Sequence, residues 1–296
     1  MKIAVTGANG FIGTELIRAL TDKKDVEVIA LTRGATDHTD TSFCVWKTTD
    51  YTIESLAAVL KGADVVIHSA GVRGTSSDPD DYIVNEVMTE TILRAMAIAG
   101  VRRMVFASSI SVYDDEKLLP WREDAVIKGR TAYGDSKIRC EKLIADYAKT
   151  CGFSYAIARI AQVTGLGERR RGIMNVFIDT AREHGTLNVI GKSVARRQFI
   201  YVKDLVEILI TLATGSEGCD PKENQIVNVG MREAYTNLEL AEIVNRVFEN
   251  PAPIEYRDSS PETTRSSYMD TDRLLELTGY TPRDMEQTLM DIRRSV

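Results

Sequence analysis

The chain predicts an α/β fold: a doubly wound parallel sheet with a smaller α/β domain attached. Three observations predict it. Short β-branched runs alternate with amphipathic stretches through the first half of the 296 residues. Two of the runs, Val65-Val-Ile-His68 and Met104-Val-Phe-Ala107, are apolar without alternation, as in strands covered on both faces. Finally, a glycine-rich turn, Thr6-Gly-Ala-Asn-Gly-Phe-Ile-Gly13, joins the first run to the first helical pattern.

In order, strands are predicted at 2–5, 26–31, 65–68, 104–107 and 155–159, and helices at 11–21, 53–60, 80–99 and 130–150. After Gly165 the character changes. Glu168-Arg-Arg-Arg-Gly172 reads as a polar loop, 173–183 as a helix, and the residues from there to Arg197 as a turn-rich stretch. A buried strand at 226–230 and helices at 238–248 and 270–278 follow, the last stopped by Gly279-Tyr-Thr-Pro282. Residues 1–165 with about 196–230 are expected to form a dinucleotide-binding domain. About 166–195 with 231–296 are expected to form a substrate-binding domain.

Composition narrows the partners. Lys+Arg number 37 against 43 Asp+Glu, a net charge of −6, which argues against nucleic acid or an anionic membrane as partner. The four cysteines (Cys44, Cys140, Cys151, Cys219) are scattered without a C-x-x-C, and there are only three histidines. No metal site is expected, and reduced thiols suit a cytoplasmic protein. The chain opens directly on a strand, and no apolar run reaches about 18 residues, so neither a signal peptide nor a span is expected.

Gly7, Gly10 and Gly13 permit a tight turn and close backbone approach to a pyrophosphate. The helix beginning at Phe11 and Ile12 then presents free amides and the positive end of its dipole. A dinucleotide is the expected cofactor. NAD is usually met by an acid at the end of the second strand; here Thr32 and Arg33 stand there. Arg33 either pairs with a 2′-phosphate, which leans towards NADP, or is a solvated loop arginine. Asp50 and Tyr51 can cap the adenine, although an Asp at a loop start is as often a turn residue.

Tyr133-Gly-Asp-Ser-Lys137 places a phenol and an ammonium one helical turn apart on the same face. A cation there favours the phenolate, so the tyrosine is suited to proton exchange with a hydroxyl. Ser109, 24 residues upstream at a strand end, can supply a further hydrogen bond. Together these predict a site that moves a proton on and off a hydroxyl while a nicotinamide exchanges hydride.

These motifs, in this order, resemble the extended short-chain dehydrogenase/reductases, in particular the NAD-dependent epimerase/dehydratase family. Gly7/Gly10/Gly13, His68-Ser-Ala-Gly71, Ser108-Ser109-x-x-Val112-Tyr113 and Tyr133-x-x-x-Lys137 match its cofactor half. Arg197-x-Phe-Ile-Tyr-Val-x-Asp204 and Asn228-Val-Gly230 match its second half. The resemblance implies a Rossmann-type fold, with Tyr133 as acid/base, Lys137 on the cofactor ribose and Ser109 on the reacting oxygen. It adds Ser69, Ala70, Gly71 and Arg73 to the cofactor site, and sets Asn85 against the loop of Ser109 or in a purely structural role. Arg197 and, less surely placed by its spacing, Arg265 would hold a diphosphate, and Gln162 replaces the family's asparagine near the substrate. Arg169-Arg-Arg171 either closes over the substrate or, the favoured reading, is solvated.

The resemblance implies a nucleotide-sugar 4-epimerase acting on a UDP-hexose or UDP-N-acetylhexosamine, with NAD or NADP and a homodimeric state. Ser267, a small residue near the sugar, points to an N-acetyl group. Ile110-Ser111 stands where the family's 4,6-dehydratases carry Asp-Glu, which argues against dehydration. An NADPH-dependent 4-ketoreductase is the alternative, favoured by Thr32-Arg33, and a non-catalytic NADP sensor is a third reading that the presence of both Tyr133 and Lys137 disfavours.

Overall fold

In this computed structural model the described residues are 1–296 apart from 24, 35–37, 169–171 and 258–264. The first half runs β1 (Lys2–Thr6), α1 (Phe11–Thr21), β2 (Glu27–Thr32), β3 (Cys44–Thr48), α2 (Ile53–Leu60), β4 (Val65–His68), α3 (Ile83–Ala99), β5 (Arg103–Ala107), α4 (Ala132–Cys151) and β6 (Ser154–Ile160). The second half adds β7 (Gln162–Thr164), α5 (Ile173–Arg182), β8 (Leu187–Ile190), β9 (Arg197–Tyr201), α6 (Val202–Thr214), β10 (Gln225–Val229) and β11 (Ala234–Tyr235). It ends with α7 (Asn237–Phe248), β12 (Ile254–Arg257), α8 (Asp272–Thr278) and α9 (Met285–Arg294).

Seven parallel strands form the main sheet in the order β10-β6-β5-β4-β1-β2-β3. The chain winds outward from β1 to β3, then returns to the other side of β1 and continues through β4 to β10. The winding therefore reverses between β1 and β4, and ligands of such sheets bind in the crevice that opens there, beyond the strand C-termini. The central strands are apolar throughout because both faces are covered: β4 and β5 are buried at every residue. One core, including Leu16, Leu20, Ile208 and Leu212, lies under α1 and α6. The other, including Leu56, Leu93, Met96 and Ile144, lies under α2, α3 and α4.

The second half builds two small sheets, β11-β9-β7 and β12-β8. Two of its helices carry reciprocal capping boxes, Thr236 with Glu239 on α7 and Asp284 with Gln287 on α9, which satisfy end amides that no intrahelical carbonyl reaches.

Several elements differ from the sequence expectation. The stretch before Arg197 holds β8, which gains its partner from β12, a strand almost seventy residues later. Helix α3 starts at Ile83, because Pro79–Tyr82 forms a 3-10 turn led by the side chain of Asp78. The start of α8 falls at Asp272, and Gly279, in the left-handed region at φ 64°, ends it. The arginine run 169–171 lies outside the described residues.

Candidate active site

The loops after β1 and β4 meet at the winding reversal. Gly7 is in the left-handed region (φ +72°), and a Cβ built there would lie 2.8 Å from the backbone of Ala70. Only glycine allows the two loops to approach this closely. Thr6 and Ser69 bind the loops together: Ser69 Oγ donates to the Thr6 carbonyl (2.7 Å) and Ala70 N–H to Thr6 Oγ1 (3.3 Å). No side chain caps the start of α1, so its first amides face the crevice as a ready anion cradle.

Helix α4 carries the next pair. Thr131 Oγ1 caps it by accepting the Gly134 N–H (3.1 Å), which puts Tyr133 in the first turn and Lys137 in the second. Lys137 is 5% exposed and donates to the Ala107 carbonyl at the end of β5 (2.8 Å). Its ammonium lies 4.5 Å from the centre of the Phe106 ring and 5.8 Å from that of Tyr133. The Tyr133 ring in turn meets the buried Tyr82 edge-on, with centroids 5.8 Å apart. Ser109 follows β5, and its Oγ accepts the Ser111 N–H (3.1 Å). With that lone pair engaged, its own O–H remains able to donate to an oxygen in the cleft.

These parts line a single cleft of about 610 Å³. Gly7, Gly10, Phe11, Ile12 and Gly13 form one side, with Ser69, Gly71 and Arg73 beside them. Ser109, Tyr133 and Lys137 also line it, and Gln162, Arg197 and Ser267 come from the second half. A groove of about 720 Å³ beside α7, lined by Tyr235, Ile243 and Tyr268 among others, contains none of the sequence-predicted site residues. Among the described residues no cluster of His, Cys, Asp or Glu is arranged to hold a metal.

The remaining predicted residues stand outside this cleft. Thr32 is buried, and its hydroxyl donates to the Gly34 carbonyl (2.9 Å). Arg33 is exposed beyond it, close enough to act on Tyr51, whose hydroxyl also feels the Gly7 amide. Asp50 makes a turn, accepting the N–H (3.0 Å) and hydroxyl (2.8 Å) of Thr52 ahead of α2. Arg265 pairs with Asp114 and Glu116 (both 2.8 Å) rather than lining the cleft. Asn85 meets the loop after β4, not that of Ser109. It clasps Val72 from both sides, accepting its N–H (2.7 Å) and donating to its carbonyl (2.9 Å), and so sets the start of the segment that bears Arg73.

The model of the NAD-dependent epimerase/dehydratase family matches residues 3–230. The chain belongs to this family. It is 27% identical to UDP-glucuronic acid decarboxylase 1 of Arabidopsis thaliana over 96% of its own length and 66% of that protein's. It is also 27% identical to the UDP-glucose 4-epimerase of Pasteurella multocida, over 98% of this chain and 96% of that one. Among solved structures, UDP-N-acetylglucosamine 4-epimerase from Bacillus cereus superposes with a TM-score of 0.88 at 29% identity, covering 100% of this chain and 96% of that one. As a member of the NAD-dependent epimerase/dehydratase family the chain is an enzyme, with a Rossmann-type core.

Two features of this epimerase/dehydratase escaped the sequence reading. Three guanidiniums, of which only Arg197 lines the cleft, lie close enough to act on one another: burial and the neighbouring Arg265 and Arg197 depress the pKa of Arg130, with Glu116 and Asp114 opposing. Nothing in the spacing of Arg130 to Arg197 or Arg265 announces this; the fold brings them together. Glu168, at the cleft wall, has its carboxyl pushed up by burial against the opposing pull of Arg73 and an Asn175 hydrogen bond. In sequence it is merely the first residue of a charged loop.

Proposed function

We propose that the enzyme is a nucleotide-sugar 4-epimerase acting on a UDP-hexose or UDP-N-acetylhexosamine with NAD. The observation that carries the reading is the cleft itself, where Ser109, Tyr133 and Lys137 face Gln162, Arg197 and Ser267 beside the glycine turn. The close approach of the two loops at Gly7, where a Cβ would meet the Ala70 backbone, and the uncapped start of α1 suit the pyrophosphate of a dinucleotide. The nicotinamide, when bound, supplies a reversible hydride acceptor.

Tyr133, as phenolate, takes the proton of the sugar 4-hydroxyl and later returns it. Lys137, whose ammonium lies 5.8 Å from the centre of the Tyr133 ring, holds the cofactor's ribose hydroxyls. Ser109 donates to the reacting oxygen as it gains carbonyl character. Arg197 holds the diphosphate by charge-assisted hydrogen bonds while the sugar turns. Ser267, small and in the cleft wall, leaves room for an N-acetyl group. Residues 166–195 and 231–296 serve as the substrate-binding half. The exposed Ile83, Val84 and Val87 of α3 support a homodimer, and the four free cysteines suit the cytoplasm.

A second reading, an NADPH-dependent 4-ketoreductase, is supported by Thr32, which ends β2 where a carboxylate for the NAD ribose would otherwise stand, and by Arg33 beside it. One experiment separates the two: denaturing the purified protein and identifying released nucleotide by mass spectrometry, alongside conversion of UDP-N-acetylglucosamine followed by NMR. Stoichiometric NAD with 4-epimerisation is expected. An empty protein, or one releasing traces of NADP and inert without added NADPH, overturns the epimerase in favour of the reductase.

A further inference from the structure

The chemistry above leaves one buried ion pair unused. Glu141 lies one turn beyond Lys137 on α4, and Arg159 lies on β6; their side chains are 5% and 4% exposed. Arg159 Nη2 donates to Glu141 Oε2 (2.9 Å), and Nε approaches both carboxylate oxygens (3.3 Å). What the pair grips is the segment that carries Ser109, and it does so at both ends. Ser108 Oγ donates to Glu141 Oε1 (2.5 Å). Arg159 Nη1 donates to the Tyr113 hydroxyl (2.8 Å), which in turn donates to Asn228 Oδ1 (2.8 Å).

Stability alone does not account for such a pair. Two desolvated charges commonly contribute no more than well-packed apolar residues of the same volume. Their geometry, however, ties the strand end bearing Ser109 to the helix bearing Tyr133 and Lys137 through direct hydrogen bonds between buried side chains. We propose that Glu141 and Arg159 are positioning residues that set Ser109 against Tyr133 through Ser108 and Tyr113. The proposal rests on the reading of Ser109 and Tyr133 as the catalytic groups.

The test uses Tyr113, which is fully buried and outside the cleft, so that Tyr113→Phe cuts the link without touching substrate or leaving a charge unpaired. With UDP-N-acetylglucosamine and UDP-glucose as probes, Tyr113→Phe is expected to lower kcat about tenfold at unchanged KM, the scale of a sub-ångström misplacement. In a Ser109→Ala background the same change should cost nothing further, because the group it positions is gone. Its crystal structure should show Ser109 displaced from Tyr133 by about 0.5 Å or more. An unmoved Ser109, an unchanged kcat, or losses that add in the double variant overturn the proposal. A fully active Ser109→Ala overturns the functional reading and the proposal with it. An inactive Ser109→Ala beside a fully active Tyr113→Phe overturns the proposal alone.

Discussion

Tyr133 and Arg33 sit at opposite ends of the expected cofactor and answer different questions. Tyr133→Phe removes one oxygen from a half-buried ring that Tyr82 still holds edge-on, so cofactor binding should persist. Turnover should fall at least about 10²-fold, the usual contribution of a positioned acid/base. Steady-state kinetics beside a cofactor titration checks this, and unchanged turnover removes the assignment. Arg33 is exposed, and its neighbour Thr32 is turned into the Gly34 carbonyl. If it binds a 2′-phosphate, Arg33→Ala weakens NADP about tenfold or more while NAD affinity stays within twofold, a difference on the scale of one charge-assisted contact. Calorimetric titration of both nucleotides decides it; equal losses make Arg33 a solvated loop residue.

At the scale of elements, the site depends on how closely α4 passes the turn that follows Ser109. A Cβ on Gly134 would lie 2.1 Å from the Ser111 carbonyl oxygen, and backbone on both sides cannot yield as a flexible side chain would. Gly134→Ala should therefore spread Tyr133 from Ser109 and lower kcat by about 10²-fold, with nucleotide binding retained, since such a loss follows from about 1 Å of misplacement. Unaltered kcat in the folded variant contradicts this coupling. The glycine was invisible as a site residue in the sequence because its role is set by a neighbour 23 positions away.

The same limit explains what else was legible. The strands at 2–5, 65–68 and 104–107 announce themselves by continuous apolar runs, and the Tyr133/Lys137 step by helical spacing. In contrast, α6 is not among the helices predicted above, although its nine buried positions leave Lys203, Glu207, Thr211 and Thr214 as a polar stripe at helical spacing. The short β8 and β12 carry little pattern of their own and exist because they pair. Arg265 matched a sequence position and not a place: Asp114 and Glu116, some 150 residues earlier, hold it.

The whole molecule carries a titration that is independent of turnover. His68 ends β4 at the centre of the sheet, 1% exposed, with Nδ1 2.8 Å from Thr6 Oγ1 and Nε2 3.1 Å from Thr89 Oγ1. Thr89 donates onward to the Asn85 carbonyl (2.8 Å), so the ring donates through Nε2 and accepts at Nδ1, the neutral form. Burial, and secondarily the Lys137 charge, lower its pKa from 6.5 to about 3. The unfolded chain therefore binds a proton that the folded chain refuses between those values. His68 adds full stability above about pH 6.5 and loses it progressively as pH falls towards 3. The slope approaches about 1.4 kcal/mol per pH unit, and the total is roughly 5 kcal/mol, a large share of an ordinary domain's stability. His68→Asn, which cannot titrate, should show a shallower fall between pH 6 and 4 even if it is less stable at pH 7. Urea unfolding at several pH values measures both slopes; parallel curves mean that His68 is protonated as readily in the native sheet as in the unfolded chain.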